Sequence, residues 1–140
     1  MPAAAVIQVC VDPRLNHELI SLQVRQKIER SGVRADWIYV VNDIGGNPGA
    51  SFRNTLQLIH RAGEAVVFSA LLHHDDCLAE KQGQRVELAL AAQQMREELG
   101  RIGSHAPVFT GHIRTEHNHV LWADEPELRY APFSFGAITY

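Results

Sequence analysis

The sequence predicts an α/β fold, in which a mostly parallel central β-sheet carries helices on both faces and ends in an antiparallel hairpin. Short apolar runs rich in β-branched residues alternate with longer segments of helical periodicity. Strands that alternate with helices in this way form parallel sheets with right-handed crossovers. Two later strand-like runs are separated only by a short polar turn, which indicates the hairpin.

The first strand is the apolar run at Val6, Ile7, Val9 and Val11. Asn16 is suited to cap the helix that follows, because its side chain can accept a hydrogen bond from a free backbone N–H. An apolar stripe at Leu19, Leu22 and Ile28 is expected to face the core. Gly32 can end this helix in a left-handed conformation.

The second unit begins with a strand over Trp37 to Val41. The stretch Asn42 to Gly49 contains three glycines and Pro48, which predicts a loop with unusual backbone angles. Ser51 is expected to cap the next helix. The apolar positions of that helix are Phe52, Leu56 and Ile59, and Gly63 follows its end.

The third strand is predicted over Ala65 to Leu72 and is followed by a helix over Val86 to Leu99. Val86, Leu90 and Leu99 lie on or near one face of that helix. Val108 to Arg114 and Val120 to Trp122 are expected to pair as the hairpin. Its turn falls at Glu116 to Asn118.

Length and composition predict one globular domain over residues 1–140, since 46% of 140 residues are hydrophobic. The segment Glu125 to Tyr140 holds four aromatic residues without a clear period. We expect it to pack on its own domain or on a neighbouring subunit. The net charge of −3 is spread without a basic block, which argues against a nucleic-acid partner.

The longest strongly apolar run, Ala65 to Leu72, is far shorter than the roughly 20 residues of a membrane-spanning helix. Met1 to Ala5 lacks the charged start of a signal peptide, so we expect a cytoplasmic protein without a membrane partner. In a reducing compartment, Cys10 and Cys77 are better interpreted as thiols or metal ligands. A disulfide between them remains open at this point.

Candidate metal ligands stand where two predicted strands end. Cys10 closes the first strand, and His74 and Cys77 follow the third. Since the carboxyl ends of parallel strands meet at one edge of a sheet, these side chains can converge. Thiolate and imidazole groups are zinc ligands, although cobalt or iron could occupy the same site. Three protein ligands leave one position for water or substrate, which indicates hydrolytic or hydration chemistry.

Asp12 and Arg14 complete this predicted site. Asp12 is placed to accept a hydrogen bond from water at the metal, and Arg14 could hold the carboxylate ionised through a bidentate pair. Asp75 and Asp76 have a simpler interpretation as turn formers.

With these residues in view, the chain resembles a β-class carbonic anhydrase. The resemblance rests on Cys10-x-Asp12-x-Arg14, on the loop glycines Gly45 and Gly46, and on the run from Leu71 to Cys77, and it covers Val6 to Cys77. It implies that Cys10, His74 and Cys77 bind Zn²⁺, and that Asp12 is the fourth ligand in a closed state. In the open state Asp12 pairs with Arg14, and zinc-bound hydroxide attacks CO2 to give bicarbonate. The resemblance also implies a homodimer or higher homo-oligomer.

The chain departs from the family pattern at several positions. Leu78 stands where glycine is usual, and we expect its side chain to crowd the turn. Asn42-Asp43-Ile44-Gly45-Gly46 replaces a loop that normally contains arginine, so Asp43 adds a negative charge near the site. Pro13 replaces a small residue. Together with Leu78, the loop residues Ile44, Gly45 and Gly46 are the candidate substrate pocket.

Four further histidines have no assigned role. His73 is expected to face away from His74 by strand alternation. The other three, His112, His117 and His119, lie in or beside the predicted hairpin turn, where solvent exposure is the favoured interpretation. A second metal or a proton shuttle among them stays open.

Three other functions stay open beside carbonic anhydrase activity. The same scaffold could hydrolyse a small heterocumulene such as carbonyl sulfide or carbon disulfide. It could also be a catalytically silent zinc-binding or redox-sensing domain, with Asp12 held permanently on the metal. The weakest alternative is a nucleotide or small-ligand module whose glycine loop before Ser51 cradles phosphate, since a phosphate-loop lysine is missing.

Overall fold

The computed structural model describes residues 1–125, so the expected packing of the aromatic tail lies outside the described residues apart from Glu125. Five strands and four α-helices follow one another within these described residues. In order they are β1 (Ala3–Val9), α1 (His17–Arg30), β2 (Trp37–Asn42), α2 (Ala50–Arg61), β3 (Ala65–His74), α3 (Leu78–Lys81), α4 (Leu88–Arg101), β4 (Val108–Arg114) and β5 (His119–Trp122). No helix among residues 1–125 has the length and apolar character needed to cross a membrane.

The strands form one sheet in the order β2-β1-β3-β4-β5. Neighbouring strands run parallel except for the antiparallel pair β4 and β5. The predicted fold class is therefore confirmed, including the terminal hairpin. Because β1 and β3 are central and parallel, their carboxyl ends lie side by side at one edge of the sheet.

Helices cover both faces of the sheet, as predicted. Three apolar side chains of α1, those of Ile20, Val24 and Ile28, pack in one hydrophobic cluster with apolar side chains of β1 and β3. A second cluster contains the apolar faces of α2 and α4, together with alternate residues of the same strands. Because successive side chains of a strand point to opposite faces of the sheet, each central strand contributes residues to both clusters and is buried on both faces.

The predicted apolar stripe of α1 is wrong at two of its three positions. Leu19 and Leu22 are 45% and 54% exposed, whereas Ile20, Val24 and Ile28 are buried. Both sets have helical spacing, and packing against the sheet selects the second. The predicted cap is confirmed, since Asn16 Oδ1 accepts a hydrogen bond from the Leu19 backbone N–H at 3.1 Å.

Helix α2 begins two residues earlier than its predicted cap implies. Gly49 is the N-cap, and Ser51 lies inside the helix, where its carbonyl accepts a hydrogen bond from the Thr55 hydroxyl. Helix α3 was not predicted. In α4, Leu90 is 55% exposed, and the buried face consists of Ala91, Ala92, Met95 and Leu99.

β1 and β3 each end two residues away from their predicted ends, and both differences affect the candidate site. β1 stops at Val9, and Val11 is 53% exposed because the chain turns back at Asp12, whose carbonyl accepts from the Leu15 N–H. β3 continues two residues further than predicted, so His74 is its last residue. Ordered strand backbone therefore carries the imidazole directly to the edge of the sheet.

Candidate metal centre

Cys10, His74 and Cys77 come together at the carboxyl edge of the sheet. Cys10 directly follows β1, His74 ends β3, and Cys77 is the N-cap of α3. All three residues are buried, and their ligand atoms lie within 4.8 Å of one another. Both cysteines are free thiols. One metal ion bound by two thiolates and one imidazole fits this separation.

The His74 ring is oriented as a metal ligand would be. Its Nδ1 lies 2.8 Å from the Asp75 carbonyl oxygen, to which an N–H at this position donates. The other nitrogen, Nε2, is buried and has no hydrogen-bond partner. A buried polar atom without a partner carries a desolvation cost, which coordination of a cation would remove. The residues present therefore fit a metal ion.

The thiols also fit this interpretation. Burial raises the pKa of Cys10, and the nearby Cys77 adds to that rise, against the opposing effect of a hydrogen bond from the Gly45 backbone. A buried thiol with a raised pKa stays protonated unless a positive charge accompanies its ionisation. A divalent cation supplies that charge, and its binding would release the proton.

Asp12 lies beside the three ligand groups and is held by Arg14. The Arg14 Nε donates to Asp12 Oδ1 at 3.0 Å, and its Nη2 donates to Oδ2 at 2.6 Å. These hydrogen bonds lower the pKa of Asp12 to about 2, so the carboxylate is ionised at neutral pH. Asp12 Oδ2 is 3.9 Å from His74 Nε2. The carboxylate thus borders the place where a metal ion would sit.

Arg14 contacts a second carboxylate as well. Its Nη1 donates to Asp76 Oδ2 at 3.0 Å, and its Nη2 donates to the Asp76 carbonyl at 2.8 Å. Lys81 forms an ion pair with the other oxygen of Asp76. Asp12, Arg14, Asp76 and Lys81 therefore form a chain of alternating charges, called the site cluster below.

The hairpin supports the base of this cluster. Asn118 has a positive φ of 53° and is nearly buried. Its Nδ2 donates to the Arg14 carbonyl at 3.2 Å, and its Oδ1 accepts from the Asn16 N–H at 2.8 Å. The turn between β4 and β5 thereby fixes the backbone that presents Arg14. Sequence reasoning gave Asn118 only a turn role.

A cavity of about 220 Å³ opens beside the candidate metal ligands. Its lining consists of Cys10, Val11, Asp12, Pro13, Ile44, Leu78, Ala79, Gln82 and Gln84. Ile44 and Leu78 are 62% and 65% exposed, so Leu78 projects at the rim and the expected crowding of its turn does not occur. The mouth of the cavity is consequently apolar.

Gly45 and Gly46 are buried next to this cavity and are not among its lining residues. Both have positive φ angles, 68° and 72°, as the loop prediction implied. A Cβ on Gly46 would lie 3.5 Å from the Cys10 backbone nitrogen, so this loop packs directly against the end of β1. Asp43 accepts a hydrogen bond from buried Gln8 at 2.8 Å, which partly accommodates its charge.

His73 and His112 face each other across β3 and β4. His73 is 5% exposed, and burial, reinforced by Arg85 and two histidines, lowers its pKa to about 4. The expectation of solvent exposure is wrong for His112, which is partly buried in the middle of β4, and correct for His117 and His119. Cys10, His74 and Cys77 are the only group of three His, Cys, Asp or Glu side chains within residues 1–125 whose ligand atoms lie close enough together to hold one metal ion.

Arg85 was missed by the sequence reasoning. Its Nη1 donates to the His74 carbonyl at 3.0 Å, and its Nη2 pairs with Glu80, so it secures the end of β3 against α3. A single arginine in a loop of mixed composition carries no sequence pattern that indicates this contact. Gln82 and Gln84, which line the cavity, were missed for the same reason.

Comparison with solved structures identifies the fold. The isoform I β-carbonic anhydrase of the protozoan Trichomonas vaginalis aligns with a TM-score of 0.50 and 15% identity, over 84% of this chain and 80% of that one. The apo form of a carbon disulfide hydrolase aligns with a TM-score of 0.50 and 11% identity, over 91% of this chain and 81% of that one. No family model and no curated protein matches the sequence. The chain has the fold of the β-carbonic anhydrases, as its motifs indicated.

Proposed function

We propose that this protein is a zinc-dependent carbonic anhydrase, which interconverts CO2 and bicarbonate. The observation that carries the proposal is the buried group of Cys10, His74 and Cys77, with an ionised carboxylate at its border and an apolar cavity beside it. The fold shared with β-carbonic anhydrases supports it. Two thiolates and one imidazole suit zinc and leave a position for water.

The proposed mechanism assigns each residue a separate task. When bound, a zinc ion acidifies water and so supplies a nucleophile for CO2 near neutral pH. Cys10, His74 and Cys77 hold the ion. Apolar side chains at the cavity rim, Ile44 and Leu78, limit competing water and admit a small uncharged substrate.

Asp12 acts as a hydrogen-bond acceptor in this proposal. A carboxylate with a pKa of about 2 is too weak a base to keep a proton at neutral pH. It can still accept a hydrogen bond from the attacking water and fix the direction of its lone pair. Arg14 keeps the carboxylate ionised and oriented, and the released proton passes to solvent through the open cavity.

We also propose that the protein is a cytoplasmic homodimer or higher homo-oligomer, with a small-molecule substrate and no nucleic-acid or membrane partner. Two free buried thiols suit a reducing compartment. Strand β2 is an edge of the sheet, and its residue Trp37 is 44% exposed. An edge strand with unpaired backbone groups and an exposed aromatic residue is suited to pair with a second copy.

The test is CO2 hydration by stopped flow on protein of known zinc content, between about pH 6 and pH 9. Turnover that depends on zinc and rises with pH is expected, and Cys77→Ala is the inactive control. Absence of turnover in zinc-replete protein would overturn the proposal. That outcome would favour the silent zinc-binding or redox-sensing domain, because Asp12 is close enough to His74 to become a further ligand.

Hydrolysis of carbonyl sulfide or carbon disulfide is the second candidate function. The apolar rim formed by Ile44 and Leu78 favours it, since sulfur-containing heterocumulenes are larger and more polarisable than CO2. A solved structure with this fold is a carbon disulfide hydrolase. Sulfide release at a kcat/KM above that for CO2 would establish this candidate. Preference for the sulfur substrates should then fall in Leu78→Gly. It should stay unchanged in the control Leu58→Ala, because Leu58 is an exposed leucine that does not line the cavity.

A further inference from the structure

We propose that Asp76, supported by Lys81, is a positioning residue that keeps Arg14 on Asp12 and thereby keeps Asp12 away from the metal position. The inference rests on the metal centre of the proposed function. A site held open in this way keeps one metal position free of Asp12. The coordination of the metal reports this state directly and does not depend on which substrate is used.

The guanidinium of Arg14 is shared between two carboxylates. One edge, Nε with Nη2, faces Asp12, while Nη1 and Nη2 reach the side chain and the carbonyl of Asp76. The Arg14 backbone N–H also donates to Asp12 Oδ1 at 2.8 Å. Because both hydrogen-bonding edges of the planar guanidinium are occupied, the group has one orientation available, in which it forms a bidentate pair with Asp12.

The pair with Asp12 needs this second anchor. The Arg14 side chain is 44% exposed, and an exposed ion pair alone holds a long side chain weakly because of conformational entropy and screening. Asp12, by contrast, is 11% exposed and stands 3.9 Å from His74 Nε2. If Arg14 moves into solvent, the nearest positive charge for this carboxylate is the metal ion.

Asp76 is suited to the task by its backbone. Its φ is 53°, a left-handed conformation that aspartate and asparagine adopt more readily than most residues. This turn lies between the end of β3 and Cys77, so the residue that directs the chain toward Cys77 also holds Arg14. Lys81, one turn into α3, pairs with Oδ1 and leaves Oδ2 to Arg14.

The test compares wild type with Asp76→Asn, each loaded with one Co²⁺ in place of zinc. Asparagine keeps the left-handed turn and the carbonyl contact but removes the charge, so folding should be retained. We expect the visible absorption spectrum of Co²⁺ to change as Asp12 replaces water, and kcat to fall about tenfold with little change in KM. Glu116→Gln, which removes an exposed carboxylate paired with His117 on the hairpin turn, is the matched control.

The same substitution made in Asp12→Ala protein distinguishes a positioning role of Asp76 from a general effect on the structure. In Asp12→Ala protein there is no carboxylate to move, so adding Asp76→Asn should leave the Co²⁺ spectrum unchanged. An equal spectral change with and without Asp12 would overturn the proposal, as would a wild-type spectrum in Asp76→Asn alone. If wild type lacks CO2 turnover but the spectral change depends on Asp12, the proposed function fails and the positioning role of Asp76 stands.

Discussion

Two clusters of four charges lie at separate places in the molecule and differ in what surrounds them. The site cluster joins Asp12, Arg14, Asp76 and Lys81 beside the candidate metal centre. The second, called the core cluster here, joins Lys27 and Arg30 of α1 to Asp124 and Glu125 after β5. Both alternate in sign, and both connect segments that are distant in sequence.

The core cluster surrounds a buried charge with partners. The Lys27 side chain is 4% exposed, and its Nζ donates to both oxygens of Asp124 and to Glu125. The same ammonium lies 4.9 Å from the Phe109 ring centroid and 5.5 Å from that of Trp122. Its hydrogen bonds and aromatic contacts are directed within the protein, as expected of a cluster that stabilises the fold.

The site cluster, in contrast, is largely exposed and lies next to one buried polar atom without a hydrogen-bond partner. Arg14 and Asp76 are 44% and 58% exposed, whereas the adjacent His74 Nε2 is buried without a partner. Exposed ion pairs add little to stability. These charged groups contribute little to stability and border a candidate metal ligand, His74 Nε2, that has no hydrogen-bond partner. We infer that their role is functional. The comparison therefore predicts large stability effects at one cluster and large functional effects at the other.

The largest expected change in stability is at Lys27. Lys27→Ala should lower the free energy of unfolding by about 3 kcal/mol, because it removes the partner of two carboxylates and the packing on Phe109 and Trp122. Urea unfolding of protein with the metal bound measures this loss. Zinc stoichiometry should remain that of wild type.

Lys27→Met is the matched control for this prediction. Methionine restores apolar contact with the two rings, and Asp124, at 52% exposure, can turn to water. We expect a smaller loss than in Lys27→Ala. Equal losses in both variants would mean that the charge alone matters, and no loss in either would contradict the structural role of the core cluster.

Arg14→Gln should show the opposite behaviour. We expect a smaller loss of stability than in Lys27→Ala, since the guanidinium is partly in solvent. Activity should fall about 10- to 100-fold, the usual range when a group that orients a metal-site residue is removed. Arg30→Gln, the arginine of the core cluster, should keep wild-type turnover. Unchanged turnover in Arg14→Gln would remove the functional distinction between the clusters.

The smallest expected effect is the contribution of Asp12 to stability in acid. Because folding lowers the pKa of Asp12 from 3.8 to about 2, its contribution is fully present above 3.8 and is lost as pH falls toward 2. The difference in unfolding free energy between wild type and Asp12→Asn should therefore shrink over this interval. Chemical denaturation with chelator present isolates the effect from metal release. A difference that stays constant with pH would contradict the ion pair.

The arrangement of strands and the candidate ligands could be predicted from the sequence because both depend on local patterns. Alternating apolar runs and helical segments specify a parallel sheet, and residues at the carboxyl ends of its strands converge. Cys10, His74 and Cys77 follow from that rule, and the structure brings their ligand atoms together.

The choice between two apolar stripes could not be predicted in the same way. Leu19 and Leu22 satisfy helical spacing as well as Ile20 and Val24 do, and only contact with the sheet distinguishes them. Lys27 lies on the buried stripe, but its burial depends on Asp124 and Glu125, almost 100 residues later in the chain. Side-chain partners that distant leave no periodic signal.

The most direct test of the metal centre is a zinc titration of the metal-free protein with a competing chromophoric chelator, in parallel with Cys77→Ala and Lys27→Ala. We expect one tightly bound zinc ion per chain in wild type and in folded Lys27→Ala protein. The affinity of Cys77→Ala should be weaker by about 100-fold or more, as expected on loss of one of three protein ligands. Equal affinity in wild type and Cys77→Ala, or no binding at all, would contradict the metal centre on which the proposed function depends.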